Sequence, residues 1–369
     1  MMGVLNGRST LIHRLCLIGG AVVWASACQR ESTVTRLPAI PATEITQTAI
    51  ADKVDEELNP RLLRRFAPLP KVPGGLDSAL VRLGRILYFE PLLSRNGKIS
   101  CNSCHPLDRY GTTNTQFSMG VDGKFGRRNA PTVYNAAGHF RQFWDGRSAN
   151  LAEQALGPLE NPTEMGMDAP SIERVLKNIP GYRDLFAGAF PGEAEPISIG
   201  NVAAAIAEFE RGLITPSRWD RYLAGDTQAL SQPEKEGAKL FANLGCMVCH
   251  TGAYVGGTMF EKLGIFAPWP NQSDHGRREV THSAADDMVF KVPSLRNSAR
   301  TAPYFHDGSI DSLDTAVRMM ARHQLGVDLS EEEAVSVAAW LGSLTGEIPR
   351  DYIAMPRLPE AKRPVKLPT

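Results

Sequence analysis

Cys101-Asn102-Ser103-Cys104-His105 and Cys246-Met247-Val248-Cys249-His250 decide how this chain is read. Both are C-x-x-C-H, the spacing of covalent c-type haem attachment. The reason is geometric. Two thiols three positions apart reach two vinyl groups of one porphyrin as thioethers, and the adjacent imidazole swings under the iron. A Cys₄ zinc site would draw the pairs closer than the 141 residues between Cys104 and Cys246, and needs no His after each. A thioredoxin-type pair expects a βαβ setting, which the sequence lacks. Two plain disulfides leave His105 and His250 unexplained. The expectation is two covalently bound haem c groups, with His105 and His250 as iron ligands.

Moving outward, an amphipathic helix precedes each motif. Leu80, Leu83, Leu87 and Tyr88 recur at helical spacing ahead of the first, with Asp77 or Ser78 as N-cap. Ahead of the second, Ser231-Gln232-Pro233-Glu234 is a capping box followed by Ala238, Leu240, Phe241 and Leu244. A related tail follows each motif. Ala130-Pro131-Thr132-Val133 answers Val292-Pro293-Ser294-Leu295, and Phe143-Trp144-Asp145-Gly146 answers Phe305-His306-Asp307-Gly308. An internal duplication with one haem per copy is the simplest account. Val202 to Leu213 has helical apolar spacing, and Ser330 with Glu333 caps a helix running to about Leu344. The fold class expected is all-α: two cytochrome c-like domains, at 76–225 and 226–347. A Pro-rich tether and surface-wrapping arm (29–75) precedes them, and an irregular tail (348–369) follows.

Residues 1–28 read as a targeting segment. Arg8 and Arg14 form a basic region, and Leu15 to Ala27 is uncharged but too short for a membrane span. Small residues before Cys28 resemble a bacterial lipobox, whose cysteine is lipidated. Ala25 departs from the usual Leu, so cleavage near Ala27 and an uncleaved anchor stay open. All three readings place the bulk of the protein in the periplasm or cell envelope, where disulfides and covalent haem attachment are both permitted. Lys+Arg and Asp+Glu each total 40, so no global field selects nucleic acid.

The chain resembles the bacterial di-haem cytochrome c peroxidases over roughly residues 75–347. The resemblance rests on further blocks in order: Leu83-Gly84-Arg85-Ile86-Leu87-Tyr88-Phe89, Arg128-Asn129-Ala130-Pro131-Thr132, Phe143-Trp144-Asp145-Gly146-Arg147, Thr301-Ala302-Pro303-Tyr304-Phe305-His306 and Leu344-Thr345-Gly346-Glu347. It implies that the first haem reduces hydrogen peroxide to water. The second would receive electrons from a small c-type cytochrome or a cupredoxin. It carries the family's distal pair onto Gln154 and Glu164, and the tryptophan between the haems onto Trp144. Met320 matches the distal ligand of the second iron, with Met319 as competitor. Asn129, Thr301 and Pro303 match positions that hold a calcium ion. Family members are often dimeric, which leaves a homodimer open.

One position departs from the pattern. Many members carry a histidine after the first motif that blocks its iron until the second haem is reduced. Val121 stands there, and no His occurs between His105 and His139. The expectation is a first haem open to peroxide in the oxidised protein, with Met119 as the residue that could close it. Two other functions remain. One is a di-haem oxidase that modifies a partner protein, whose known members carry Tyr where Met320 stands. The other is an electron carrier with both haems closed, against which Val121 argues.

Overall fold

The computed structural model describes residues 57–360 except Pro73, together with Leu367. The leader reading of residues 1–28, with Cys16 and Cys28, and most of the 29–75 arm lie outside the described residues. Among these, no helix is long and apolar enough to cross a membrane. The described residues belong to one compact unit.

Two helix crossings organise it. Ser78 caps Ala79–Phe89 by accepting the Val81 N–H, and the buried stripe Val81, Leu83, Leu87 and Tyr88 faces Ile199–Arg211. The helices meet at Gly84, where a Cβ would stand 1.9 Å from the Ala205 carbonyl oxygen. The second crossing repeats the device. Gln232–Asn243, with the Ser231/Glu234 capping box, meets Glu331–Ser343, with the Ser330/Glu333 box. There a Cβ on Gly237 would stand 2.0 Å from the Ser336 carbonyl oxygen. Only glycine allows backbones this close. Aromatic pairs fill both seams: Tyr88 with Phe209 at 5.4 Å and Phe241 with Trp340 at 4.5 Å between ring centroids.

Each crossing has its own apolar core. The chain ends are shared between them. Leu58 and Phe66 are buried in the second core, with Phe66 edge-on to Trp219 and Trp340. This part of the expected surface-wrapping arm is an anchor. Tyr352 and Ile353, in the Pro-rich tail, close the first core; the Tyr352 hydroxyl donates to the Phe209 carbonyl at 2.6 Å. The helix Arg218–Leu223 supplies Trp219 and Tyr222 to the second core.

Between the two cores the backbone repeats unusual conformations at a constant offset. Asn135 and Asn297, Phe143 and Phe305, and Gly146 and Gly308 all have positive φ. Asn135 and Asn297 each donate from Nδ2 to the single Thr215 hydroxyl, both at 2.9 Å. Thr215 is therefore a hub joining the paired tails. Gly346 must be glycine beside it, since a Cβ would lie 2.0 Å from the Thr215 carbonyl oxygen.

The all-α expectation needs one correction. A two-stranded antiparallel ribbon pairs Phe260–Lys262 with Val289–Lys291. It lies in a longer second tail, where His250 to Asn297 takes 47 residues against 30 from His105 to Asn135. The molecule is mostly helical with this ribbon added.

Candidate active site

The helix Cys101–Cys104 is a single turn closed by a Ser100/Ser103 capping box, with His105 as its C-cap. The Tyr88 hydroxyl donates to the His105 carbonyl at 2.8 Å, tying the motif to the first crossing. His105 Nδ1 lies 3.1 Å from the Gly111 carbonyl oxygen; His250 Nδ1 lies 3.2 Å from that of Val255. A ring nitrogen facing a carbonyl carries the hydrogen, so each Nε2 keeps its lone pair. Burial depresses both imidazoles, His250 to about 4, and both stay neutral at physiological pH. None of the four motif cysteines is in a disulfide. Neutral imidazoles with committed Nδ1 atoms, each beside two unpaired thiols, are the donor set a covalent haem requires.

The second motif opens on an apolar crevice of about 380 Å³ lined by Cys246, Cys249, His250, Trp144, Phe290 and Met320. Met319 turns away and packs on the cluster of Trp269, Met288 and Phe290. The helix Leu313–Met320 thus sends its two adjacent methionines to different places, and Met320 shares the crevice with His250.

The first motif has a polar neighbour of another kind. Glu164 sits in a tight turn held by Asn161, whose Oδ1 accepts from Thr163 and whose Nδ2 donates to Glu164 Oε1 at 2.7 Å. The Glu164 carbonyl accepts from Val121 N at 2.8 Å, and a Cβ on Gly120 would meet the Thr163 carbonyl oxygen at 2.2 Å. The loop around Val121 is therefore docked on the Glu164 backbone, with Val121 itself 0% exposed. Met119 is 56% exposed, at the surface of this loop. Burial raises the Glu164 carboxyl, and the charge of Arg147 and the Asn161 bond oppose that shift. Arg147 lies 3.4 Å over the Phe143 ring and is gripped by Asp145.

Gln154 is half-buried on Leu151–Glu160. Pro158 lies four residues on in the same helix and has no N–H, so the Gln154 carbonyl lacks its usual helical partner. Trp144 joins the two halves: Nε1 donates to the Asn129 carbonyl at 2.9 Å, and its own carbonyl accepts from Lys291 N at 2.7 Å. Asn129 is buried, with Nδ2 donating to the Thr115 and Gln116 carbonyls. Asn114 Nδ2 donates to the Ala302 carbonyl, between Thr301 and Pro303. Among the described residues, no group of three or more His, Cys, Asp or Glu side chains is gathered to hold a metal ion.

The family model described as "Di-haem cytochrome c peroxidase" matches residues 78–228. The cytochrome c551 peroxidase of Nitrosomonas europaea is 44% identical over 275 residues, covering 74% of this chain and 82% of that protein. The chain belongs to the di-haem cytochrome c peroxidase family. The cytochrome c551 peroxidase of Pseudomonas aeruginosa is 41% identical over 305 residues, 80% of this chain and 87% of its own length. A crystal structure titled as a MauG-like protein associated with microbial copper homeostasis superposes with TM-score 0.68 at 30% identity, over 78% of this chain and 98% of that one. The protein is thus a haem-dependent peroxidase, as its sequence blocks imply.

Several residues of this family member escape a reading of the sequence. Arg128 donates to Asp274 at 2.7 Å and also engages Asp145 and Glu279, drawing the second tail over the first. Arg147 lies inside a quoted block, yet nothing local marks it as the cation facing Glu164. Asn161 reads as an ordinary turn residue.

Proposed function

We propose that this enzyme reduces hydrogen peroxide to two waters at the haem on Cys101, Cys104 and His105, consuming two protons and two electrons. The electrons would enter through the haem on Cys246, Cys249 and His250, whose iron His250 and Met320 would hold. Bound at these sites, the porphyrin irons supply the redox chemistry that splits the O–O bond.

The protein's part is proton management. Glu164 takes a proton from one peroxide oxygen and returns it to the leaving oxygen, a role that asks for a carboxyl raised towards the working pH. Gln154 holds the peroxide by a neutral amide that does not compete for the proton. Asn161 and the docked Val121 loop keep Glu164 from swinging away. The observation that carries the reading is Glu164 itself: half-buried, raised by that burial, oriented on both its backbone and its carboxylate, and near enough to Cys104 to raise that thiol.

On this reading Trp144 is the aromatic bridge between the haems. The repeated helix crossings and paired positive-φ residues support an internal duplication with two haem units. The exposed position of Met119 and the aliphatic Val121 support a first site free of an internal ligand. A thioether on the second iron raises its potential, as suits an acceptor from a high-potential c-type cytochrome or cupredoxin. A calcium ion at Asn129, Thr301 and Pro303 would rest on Asn129 Oδ1 and backbone carbonyls. The periplasmic setting, with or without a lipid on Cys28, follows from the sequence of residues 1–28 and from covalent haem attachment.

The test is turnover of peroxide by the purified two-haem protein with a reduced small c-type cytochrome. Rapid stoichiometric cytochrome oxidation, two per peroxide, is expected. Absence of turnover with both haems present contradicts the proposal.

A further inference from the structure

Lys291 is a buried cation with no acid beside it. It is 7% exposed at the end of the ribbon strand Val289–Lys291, and it lines the same crevice as His250 and Met320. Its Nζ lies 3.1 Å from His139 Nδ1. Among the described residues no carboxylate forms an ion pair with it, whereas the buried Arg296 has Asp220 and Arg128 has Asp145 and Asp274. Burying an ammonium without a counter-charge costs several kcal/mol as an order of magnitude, about the size of an effective ion desolvation penalty.

The partner deepens the shortage. Nδ1 of His139 faces an ammonium, which only donates, so Nδ1 accepts and the ring hydrogen sits on Nε2. Nε2 is buried and has no hydrogen-bond partner. The ring is fixed: Tyr254 packs edge-on at 5.6 Å, and Gly257 approaches so closely that a Cβ would lie 2.6 Å from it. On the same crevice wall, His306 Nε2 is also buried and unpartnered. Burial lowers Lys291 to about 8, so at neutral pH the positive charge is retained. The crevice thus offers an ammonium and a second unsatisfied imidazole nitrogen, and the one carboxylate on its wall, Glu261, forms no ion pair with Lys291.

We infer that Lys291, oriented by His139, is the anion subsite of this crevice and binds a propionate carboxylate of the second haem. The inference rests on the proposed placement of that haem. A porphyrin carrying two propionates brings the missing anion with it. Because His139 belongs to the first tail and Lys291 to the second, the ion pair also fastens the second haem to the first half of the chain. The ammonium would stabilise the reduced haem, which carries one more electron, so Lys291 is a positioning residue that also sets potential.

Lys291→Gln removes the charge and keeps a donor. Redox titration of the holoprotein, followed at the second haem's own visible band, is expected to show that haem at least tenfold harder to reduce, which is 59 mV for a one-electron couple. The first haem should be unchanged. Lys291→Arg keeps the charge and should hold the potential near wild type, while its forked donor shifts the propionate-bending band in resonance Raman spectra. If Lys291→Gln fails to mature, that band in Lys291→Arg decides alone. Two bound haems with an unmoved potential in Lys291→Gln, or an unmoved band in Lys291→Arg, overturn the inference. Fewer than two haems in the wild-type protein would instead overturn the haem placement beneath it.

Discussion

The two motif sites share a proximal side and differ on the side where a ligand would arrive. Both present a neutral imidazole whose Nδ1 is held by a carbonyl oxygen, and both rest on a glycine-gated helix crossing. Beside the first stand a raised carboxyl, Glu164, and a surface loop that offers Val121 and Met119. The second is an apolar crevice with Met320 on its wall. On the proposed function, two similarly built sites would separate peroxide chemistry from electron entry through the few residues that face each motif.

The comparison can be broken most severely at Glu164. Glu164→Gln should lower kcat by about 10²–10⁴-fold, the usual worth of a positioned acid–base group. Stopped-flow turnover measures it, and the second haem's spectrum should not move. A variant that retains near-wild-type kcat would remove the chemical distinction between the sites.

Met320→Leu attacks the difference from the other end. Titration of the oxidised protein with cyanide should count two accessible irons where the wild type has one. An unchanged count would show that Met320 does not close the second site.

The shared scaffold is tested by Gly84→Ala and Gly237→Ala. Each forces a methyl against a carbonyl oxygen about 2 Å away, and each should cost about 1–3 kcal/mol in denaturant titrations. Similar penalties would support equivalent crossings; a penalty at only one would break the parallel.

The smallest effect is expected at Arg147. Its charge opposes the upward shift of Glu164, so Arg147→Gln should raise that carboxyl further. Since the base form exists above the group's pKa, the acid limb of kcat/KM should move to higher pH. Arg147 is partly exposed, so solvent screens the change to a fraction of a pH unit. Movement to lower pH would contradict the assignment of Glu164.

What the sequence reveals here is what depends on short range. C-x-x-C-H is a local geometry, and Ser78, Ser231 and Ser330 announce their helices because capping needs only three neighbouring residues. The site residues Gln154 and Glu164 come into view through family blocks; no local pattern marks them. Helices Ala169–Lys177 and Pro180–Ala189 are harder to see. The second opens on Pro-Gly and contains Gly188, a composition that reads as turn, and burial of Tyr182 and Phe186 overrides it. Long-range polar pairs are invisible along the chain. Lys291 and His139 are 152 positions apart, and Arg128 and Asp274 are 146 apart. From Pro349 to Glu360 the tail is irregular as its prolines suggest, yet Tyr352 and Ile353 make it part of a core.

The central claim is unequal coordination at two otherwise matching sites, and an EPR spectrum of the fully oxidised holoprotein tests it most directly. The account predicts one high-spin signal from the haem on His105 and one low-spin signal from the haem on His250 and Met320. Two low-spin signals would contradict it.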